Sequence, residues 1–593
     1  MTKEHSSFSG HDIAGNSHLK QEETAYYGAQ LSRISIAIIA LLQGLTLAYL
    51  YKSVDLGFWP GSDLIWLVAL VTFFISFPSL FLLTASKHDY KAIIKYLLPF
   101  TLFISALGAY TSHQYSAFPS LGSSLFVFTF AILIACFKAI MYMKLLVNNQ
   151  RVNYESLFSA SWRNAIIFVL TLIFMAIFFG ILHLGAALFD LLGIKLFSEL
   201  LMEEWFWLPV LTLASAFAIY IFRKIGYLTD NISTILQTLM TFLLPVLIFV
   251  SLGFLITLPF TGLDNLWQTK SGSFLLLWLI ALSLFFVNAI YHKGNDNKPY
   301  HFIVHRFILI GVAILPVYSV ISVYGIIVRI DQYGLTPDRL WALSVWFILS
   351  CFVAGYFIGI VRLRDNWLVI QSKVNVVMGL VVLAFVLLVN SPLLNFKAIS
   401  SDSQMARYYS GEVLLKDLDI RYFSRSLGRP GYLAMQQLKT EITQSDPEIA
   451  VVIDKQYRYI KKRVSKDNRN KVGEAEPEVE IVYWPNKDAF NPDLLAYINN
   501  KDNYFNGWTN VEYRISIDLD QDGTPEMLTI GDQNGYYRGK IWTNTEKGWE
   551  NRIIRIDVPD NKDLAYSLQN LEIQLSESKY KVIKLDGIHI DAN

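Results

Sequence analysis

Long, nearly uninterrupted apolar runs fill the chain up to residue 390, each separated from the next by a short polar stretch. A helix needs about 20 apolar residues to cross about 30 Å of hydrocarbon. The pattern predicts eleven spans, at 34–51, 64–83, 94–112, 124–145, 164–183, 205–222, 237–258, 273–291, 306–328, 340–361 and 370–390. Residues 184–204 stand apart. They are amphipathic and suit an interfacial helix or a re-entrant element.

Past residue 390 the period changes. From Ser403 to Lys439, apolar residues such as Leu414, Leu415, Leu418 and Tyr422 recur at helical spacing, and the Gly428–Gly431 stretch interrupts them. Two short helices are expected there. Beyond Glu448, "IAVVIDKQYRYI", "VEIVYWP", "VEYRISIDL", "EMLTIG" and "YKVIKLDGIHI" carry β-branched and aromatic residues in partial alternation. They predict strands in an antiparallel sheet. The fold class is an α-helical polytopic membrane bundle of about 11 transmembrane helices followed by a C-terminal soluble α+β domain. The expected divisions are an N-terminal segment 1–33, a transmembrane domain 34–390, a membrane-proximal helical segment 391–440 and a mainly β domain 441–593.

Charge follows the same division. Residues 1–390 hold 23 Lys and Arg and 18 Asp and Glu, whereas the last 203 residues hold 27 and 31. Within the membrane section the basic residues cluster on alternate connections. Lys87, Lys91, Lys95, Arg151, Arg163, Arg223, Lys224, Lys293, Lys298, Arg306, Arg362, Arg364 and Lys373 all lie at even-to-odd connections. The positive-inside rule then places the N-terminus in the cytoplasm, and eleven spans place the C-terminal domain outside, in the periplasm of a Gram-negative cell. Thirty-three mostly polar residues precede the first run, so that run reads as a retained anchor rather than a cleaved signal. A net charge of +1 gives no electrostatic case for a nucleic-acid partner. The basic run Lys461–Arg469 is followed by Glu474–Glu480 and reads as a solvated excursion. Cys136 and Cys351 both lie in apolar runs, which leaves no disulfide framework for the soluble part.

Candidate chemistry is sparse. Between spans nine and ten, "YGLTPDR" at 333–339 is flanked by Arg329 and Asp331. Gly334 suits positive φ, Thr336 is placed to cap the next helix, and Pro337 fits its first position. That makes a rigid hairpin turn. Arg329, Asp331, Asp338 and Arg339 could also form an outer-face charge network or line a working site. In "DLDQDGTPE", Asp518, Asp520 and Asp522 have the 1-3-5 spacing of a calcium loop, with Gly523 at position six and Glu526 at position nine. Position twelve is Thr529 where an EF-hand needs Glu, and the flanks read as strands. A shortened Ca2+ clip and a plain polar hairpin both remain open. Inside the spans, Gln43, Lys138, Asn288 and Asn375 are notable polar residues, His183 ends span five, and no acidic residue sits at a span centre. This argues against a proton-coupled carrier, since such carriers place ionisable groups within their helices. His301 and His305 share a helical face near His292, a spacing that suits interfacial histidines better than a metal site. Asp190, Glu199, Glu203 and Glu204 lie toward the outer face. No recognisable catalytic motif or cofactor fingerprint is present.

Four stretches carry a resemblance: "YESLFSASWRNAI" at 154–166, "LPFTGLDNLWQTKSG" at 258–272, "YGLTPDRLWAL" at 333–343 and "SPLLNFKAISSDSQMAR" at 391–407. The chain resembles a bacterial polytopic inner-membrane family catalogued as domain of unknown function 4153. The resemblance implies a multi-span inner-membrane protein and supplies no catalytic residues. The family often has an acidic residue after "SPLL", where this chain has Asn395, which argues against a metal or proton role there.

Three function classes fit. One is transport-like handling of a solute or lipid, favoured by the number of spans. Another is an envelope sensor or assembly scaffold that presents its periplasmic domain to an envelope protein. The last is a membrane-embedded enzyme modifying lipid or glycan, with Asp190, Glu203, Asp331 and Asp338 near its outer face. In each, the lipid bilayer is the constant partner.

Overall fold

The computed structural model describes residues 30–115, 118, 121–149, 152–262, 272–292, 299–457, 480–500, 511–519, 523, 525–533, 536–545, 548–554, 583–585 and 588–590. Eleven of the described helices are long and apolar enough to cross a membrane, the number the sequence predicts. In chain order the helices are α1 (Arg33–Asp55), α2 (Leu64–Thr84), α3 (Tyr90–Tyr115), α4 (Leu121–Val147), α5 (Tyr154–Leu191), the short α6 (Leu196–Met202), α7 (Glu204–Lys224), α8 (Gly226–Thr261), α9 (Gly272–Ile290), α10 (Phe302–Tyr333), α11 (Pro337–Leu363) and α12 (Leu368–Val389). Several starts are set by side chains that accept from free backbone amides of the first turn: Ser32 for α1, Asp63 for α2, Asn153 for α5 and Thr336 for α11.

The amphipathic stretch at 184–204 divides in two. Residues 184–191 are the last turns of α5, and 196–202 form the separate α6. Helix α5 also begins ten residues before the apolar run, at Tyr154, where Asn153 caps it. Its 38 residues amount to roughly 57 Å at about 1.5 Å per residue, longer than the hydrocarbon core.

The largest buried cluster joins α8 to α12 through Leu244, Ile280, Leu315, Tyr318 and Tyr356, with Trp367 just before α12. Within it α11 and α12 approach closely. A Cβ on Gly355 would stand 2.6 Å from Val374 Cγ2, and one on Gly359 would stand 3.2 Å from the Trp367 carbonyl oxygen. Small residues four apart let two membrane helices pack backbone to backbone, where dispersion is strongest. This packing brings Tyr356, between the two glycines, against the first turns of α12.

The chain divides into two compact units, one of Met1–Arg407 with Leu427–Pro430, the other of Tyr408–Ser426 with Gly431–Asn593. After α12 come α13 (Phe396–Tyr409), α14 (Ile420–Ser426) and α15 (Gly428–Ile442), so the membrane-proximal stretch holds three helices where the sequence predicts two. Residues 447–457 form a further helix, α16, which corrects the strand expected from "IAVVIDKQYRYI". Its buried residues Ala450, Ile453 and Tyr457 recur at i, i+3 and i+7. Packing of that stripe outweighs the β-branched content. The Lys439 ammonium lies 2.5 Å from Asp454 Oδ2, linking α15 to α16.

The C-terminal region is built on an open five-stranded sheet of β1 (Glu480–Trp484), β2 (Val511–Ile517), β3 (Glu526–Gln533), β4 (Tyr536–Thr545) and β5 (Gly548–Ile554), in that order. The sheet is mixed rather than antiparallel throughout, because β1 runs parallel to β2. A parallel pair needs a crossover, and the β1–β2 connection carries α17 (Pro492–Asn500). Leu494 of α17 packs with Phe490, Met527 and Trp542. Strands β6 (Ile583–Leu585) and β7 (Ile588–Ile590) pair antiparallel in a separate two-stranded sheet. The charge-rich run 461–480 lies outside the described residues except for Glu480.

Candidate functional site: a buried amide cluster among the spans

Two of the lone polar groups noted in the sequence meet. Asn288, in the last turn of α9, and Asn375, in the second turn of α12, are joined by Asn375 Nδ2 donating to Asn288 Oδ1 at 2.8 Å. Gln371, one turn before Asn375, donates from Nε2 to the same oxygen at 2.9 Å. The Tyr356 hydroxyl of α11 lies 2.7 Å from Asn288 Oδ1 and 2.6 Å from Asn375 Oδ1. Tyr154, first residue of α5, donates to the Asn288 carbonyl oxygen at 3.4 Å. Tyr356 and Gln371 are fully buried and Asn375 nearly so. Neither Tyr356 nor Gln371 stood out in the sequence, where a tyrosine in an apolar run and a glutamine near its end are ordinary. Only the glycine-mediated approach of α11 to α12 gives them their place.

An aromatic layer borders the cluster. The buried Trp367 ring lies 5.9 Å from that of Tyr356 and 5.9 Å from that of Tyr291. The Tyr291 hydroxyl pairs with His305 Nδ1 at 3.0 Å. His292 instead stacks on Phe158 with centroids 4.3 Å apart. Among the described residues no group of three His, Cys, Asp or Glu is arranged to hold a metal ion.

At the other ends of α10 and α11, the 333–336 turn is gripped by one face of α13. Gln404 Nε2 donates to the carbonyl oxygens of Tyr333 (2.9 Å) and Leu335 (3.2 Å). Ser400 Oγ donates to Leu335 O, Ser403 Oγ accepts from Leu335 N, and Arg407 donates to Gln332 O. Gly334 takes φ +72° and Thr336 caps α11 with Pro337 at its start, as the sequence predicts. Of the four charges proposed for this turn, Arg339 directs its guanidinium to the Tyr333 and Gly334 carbonyl oxygens, at 3.2 and 2.7 Å, and lies over the Tyr333 ring. Asp338 stands in the first turn of α11, while Arg329 and Asp331 lie in the last turns of α10. Two of the four stretches that carry the resemblance, 333–343 and 391–407, are thus each other's packing partners.

At its start α13 sends Lys397 to Ser124 Oγ of α4, 2.8 Å away, and over the Tyr115 ring, 3.9 Å from its centroid. Burial pushes the Lys397 ammonium down to about 8. Asn395 donates to the Tyr110 hydroxyl and accepts from the amides of Lys397 and Ala398, which is a helix cap.

In the β2–β3 loop, Asp518 Oδ2 accepts from Gly523 N at 2.9 Å, and Glu526 Oε2 accepts from Leu519 N at 2.6 Å. Gly523 has φ +88°. Asp520 and Asp522 lie outside the described residues.

A family model described as Domain of unknown function (DUF4153) matches residues 99–438. The match spans more than half of the chain and includes both the amide cluster and the 333–336 turn, and the chain belongs to this family. No curated protein and no solved structure matches it.

Proposed function

We propose that this DUF4153 member handles a small solute or lipid headgroup in a transport-like manner, and that Asn288, Tyr356, Gln371 and Asn375 are where its polar part is received. The observation that carries the reading is that four uncharged polar side chains from three spans converge, mostly sealed from solvent. Polar groups within a bilayer are expensive, and an all-apolar core would hold the same helices together. Their neutrality suits an uncharged or singly charged substrate and agrees with the scarcity of acidic residues at span centres. The working environment in this reading is a bacterial inner membrane, with the N-terminus cytoplasmic and the sheet domain periplasmic.

The test is Tyr356→Phe, which removes one hydroxyl and keeps the ring. It should lower stability by about 1–3 kcal/mol, because buried amide oxygens lose their donor, so complementation is scored at matched membrane abundance. It should also fail to complement the phenotype of a deletion strain. Full complementation would sink the reading.

The scaffold reading keeps one observation in its favour. The chain returns to the membrane unit at Leu427–Pro430, where Gly428 lies against Tyr115 and Arg429 meets His113.

A further inference from the structure

We propose that Lys138 receives the anionic group of the handled substrate, a carboxylate or phosphate oxyanion. The proposal rests on the transport-like reading and names the charge class of what is handled.

The first observation is depth. Lys138 lies in α4, nine residues before its end at Val147 and 17 after its start at Leu121. Lys144, six residues nearer that end, already reaches the Thr84 carbonyl oxygen and the Asp89 carboxylate, where α2 stops. At about 1.5 Å per residue, Lys138 stands roughly 9 Å further into the bundle than that level. Side chains lean toward the N-terminus of their helix, so the Lys138 stem leads back toward the middle of the span. Snorkelling to the nearer edge would run against that direction.

The second observation is the face. Ala131, Ala135, Met141, Tyr142 and Leu145, at i−7, i−3, i+3, i+4 and i+7 from Lys138, are all buried. Their stripe meets α12, where Ala131 and Ala135 pack with Val386 and Tyr142 donates to the Val376 carbonyl oxygen at 2.8 Å. Val376 follows Asn375, so Lys138 stands about one helical turn from the level of the amide cluster. Lys138 itself is only half-buried among these neighbours, and space remains beside it.

The third observation is that nothing in the chain answers this charge. Among the described residues Lys138 makes no hydrogen bond, ion pair or ring contact. The buried cations Lys144 and Arg223 are engaged, with Asp89 and Thr84 and with Leu82 and Ala85. A charge within a membrane is costly, faces a partner or a polar path, and marks where substrates or ions pass. The missing counter-charge is therefore assigned to the ligand. An ammonium has three donors and no acceptor, and carboxylate and phosphate oxygens are acceptors that carry the opposite charge.

The test compares Lys138→Met and Lys138→Arg with wild type for complementation of a deletion strain at matched membrane abundance. Lys138→Met should fail and Lys138→Arg should complement. Lys138→Met should also unfold at the wild-type Tm or above it, because no partner is lost, which separates loss of a ligand from loss of fold. The source of the oxyanion is read from the full-length protein in phosphatidylcholine nanodiscs. Exchanging NaCl for sodium acetate or sodium phosphate at fixed ionic strength raises Tm if the group is soluble, because a ligand bound only by the folded state stabilises it by mass action. Replacing part of the phosphatidylcholine by phosphatidylglycerol raises it if the group is a lipid headgroup. At least one of these exchanges should shift wild type by several degrees and leave Lys138→Met unmoved. Full complementation by Lys138→Met, failure of Lys138→Arg as well as Lys138→Met, or the absence of any shift that depends on Lys138 would each overturn the proposal. If Lys138→Met complements while Tyr356→Phe does not, transport-like handling of an uncharged solute stands. If Tyr356→Phe complements, both readings fall.

Discussion

Gly334 takes φ +72°, in the region that side-chain-bearing residues avoid, and a Cβ there would stand 2.7 Å from Gln404 Nε2 and 2.9 Å from Arg407 Cδ. Gly334→Ala should therefore lower stability by about 1–3 kcal/mol, most of it backbone strain, because the ends of Gln404 and Arg407 can move. Thermal unfolding in detergent measures it, and an unchanged Tm would contradict the positive-φ requirement. Lys397 makes a prediction in pH. Its folded value is depressed to about 8, so burial disfavours the charged form, opposed by the Tyr115 ring beneath it. The unfolded chain then binds more protons between the folded value and the ordinary lysine value of about 10.4, so this group makes stability rise with pH through that window. Lys397→Met should flatten that part of the stability profile, and an unaltered slope would show that Lys397 is not the group responsible. Gly334, Thr336 and Pro337 were legible in the sequence because their roles are local. The Lys397 environment was not, because Ser124 is 273 residues away in the chain.

Between elements, the turn joining α2 to α3 shows how cations hold helix ends inside this bundle. Lys144 of α4 is almost fully buried. It donates to the Thr84 carbonyl oxygen at 2.9 Å and pairs with Asp89. Arg223 of α7 donates to the carbonyl oxygens of Leu82 and Ala85, at 2.5 and 3.0 Å. The last carbonyls of α2 find no N–H donors within the helix, and cations suit that dipole end. Burial alone would raise the Asp89 carboxyl. The Lys144 and Ser86 hydrogen bonds outweigh it and hold the group below its ordinary value. Lys144→Met should cost about 1–3 kcal/mol, because it leaves the partly buried Asp89 carboxylate with its Ser86 hydrogen bond alone and the Thr84 carbonyl oxygen without that donor. Lys144→Met/Asp89→Asn should recover much of that loss in a double-mutant cycle, whereas additive losses would deny the coupling. In the sequence Arg223 marked a side of the membrane, but its carbonyl partners lie more than a hundred residues away. Sequence periodicity did better with long elements than with short ones. All eleven spans are legible from apolar length, while α16 reads as a strand because Val451, Val452 and Ile453 are β-branched and its buried stripe is only three residues long.

At the scale of the whole molecule, the alternation of Lys and Arg between connections makes topology the coarsest prediction. A phosphatase reporter fused after Asn593 should be active and a fluorescent protein there dark, because the tail is expected in the periplasm. The reverse result would mean either an even number of crossings or an N-terminus outside, and would remove the periplasmic placement. The membrane bundle and the sheet-containing tail were legible from apolar runs and charge density. The candidate site was half legible: Asn288 and Asn375 are conspicuous polar residues in apolar runs, but nothing in the sequence pairs α9 with α12 or sets Tyr356 between Gly355 and Gly359. The decisive measurement compares wild type with the combined variant Asn288→Leu/Tyr356→Phe/Gln371→Leu/Asn375→Leu for complementation of a deletion strain at matched membrane abundance. Replacing a buried polar network by apolar groups is often neutral or stabilising for a fold. The expected result is normal abundance with no complementation. Normal abundance with full complementation would mean that the cluster is helix packing and not the working site.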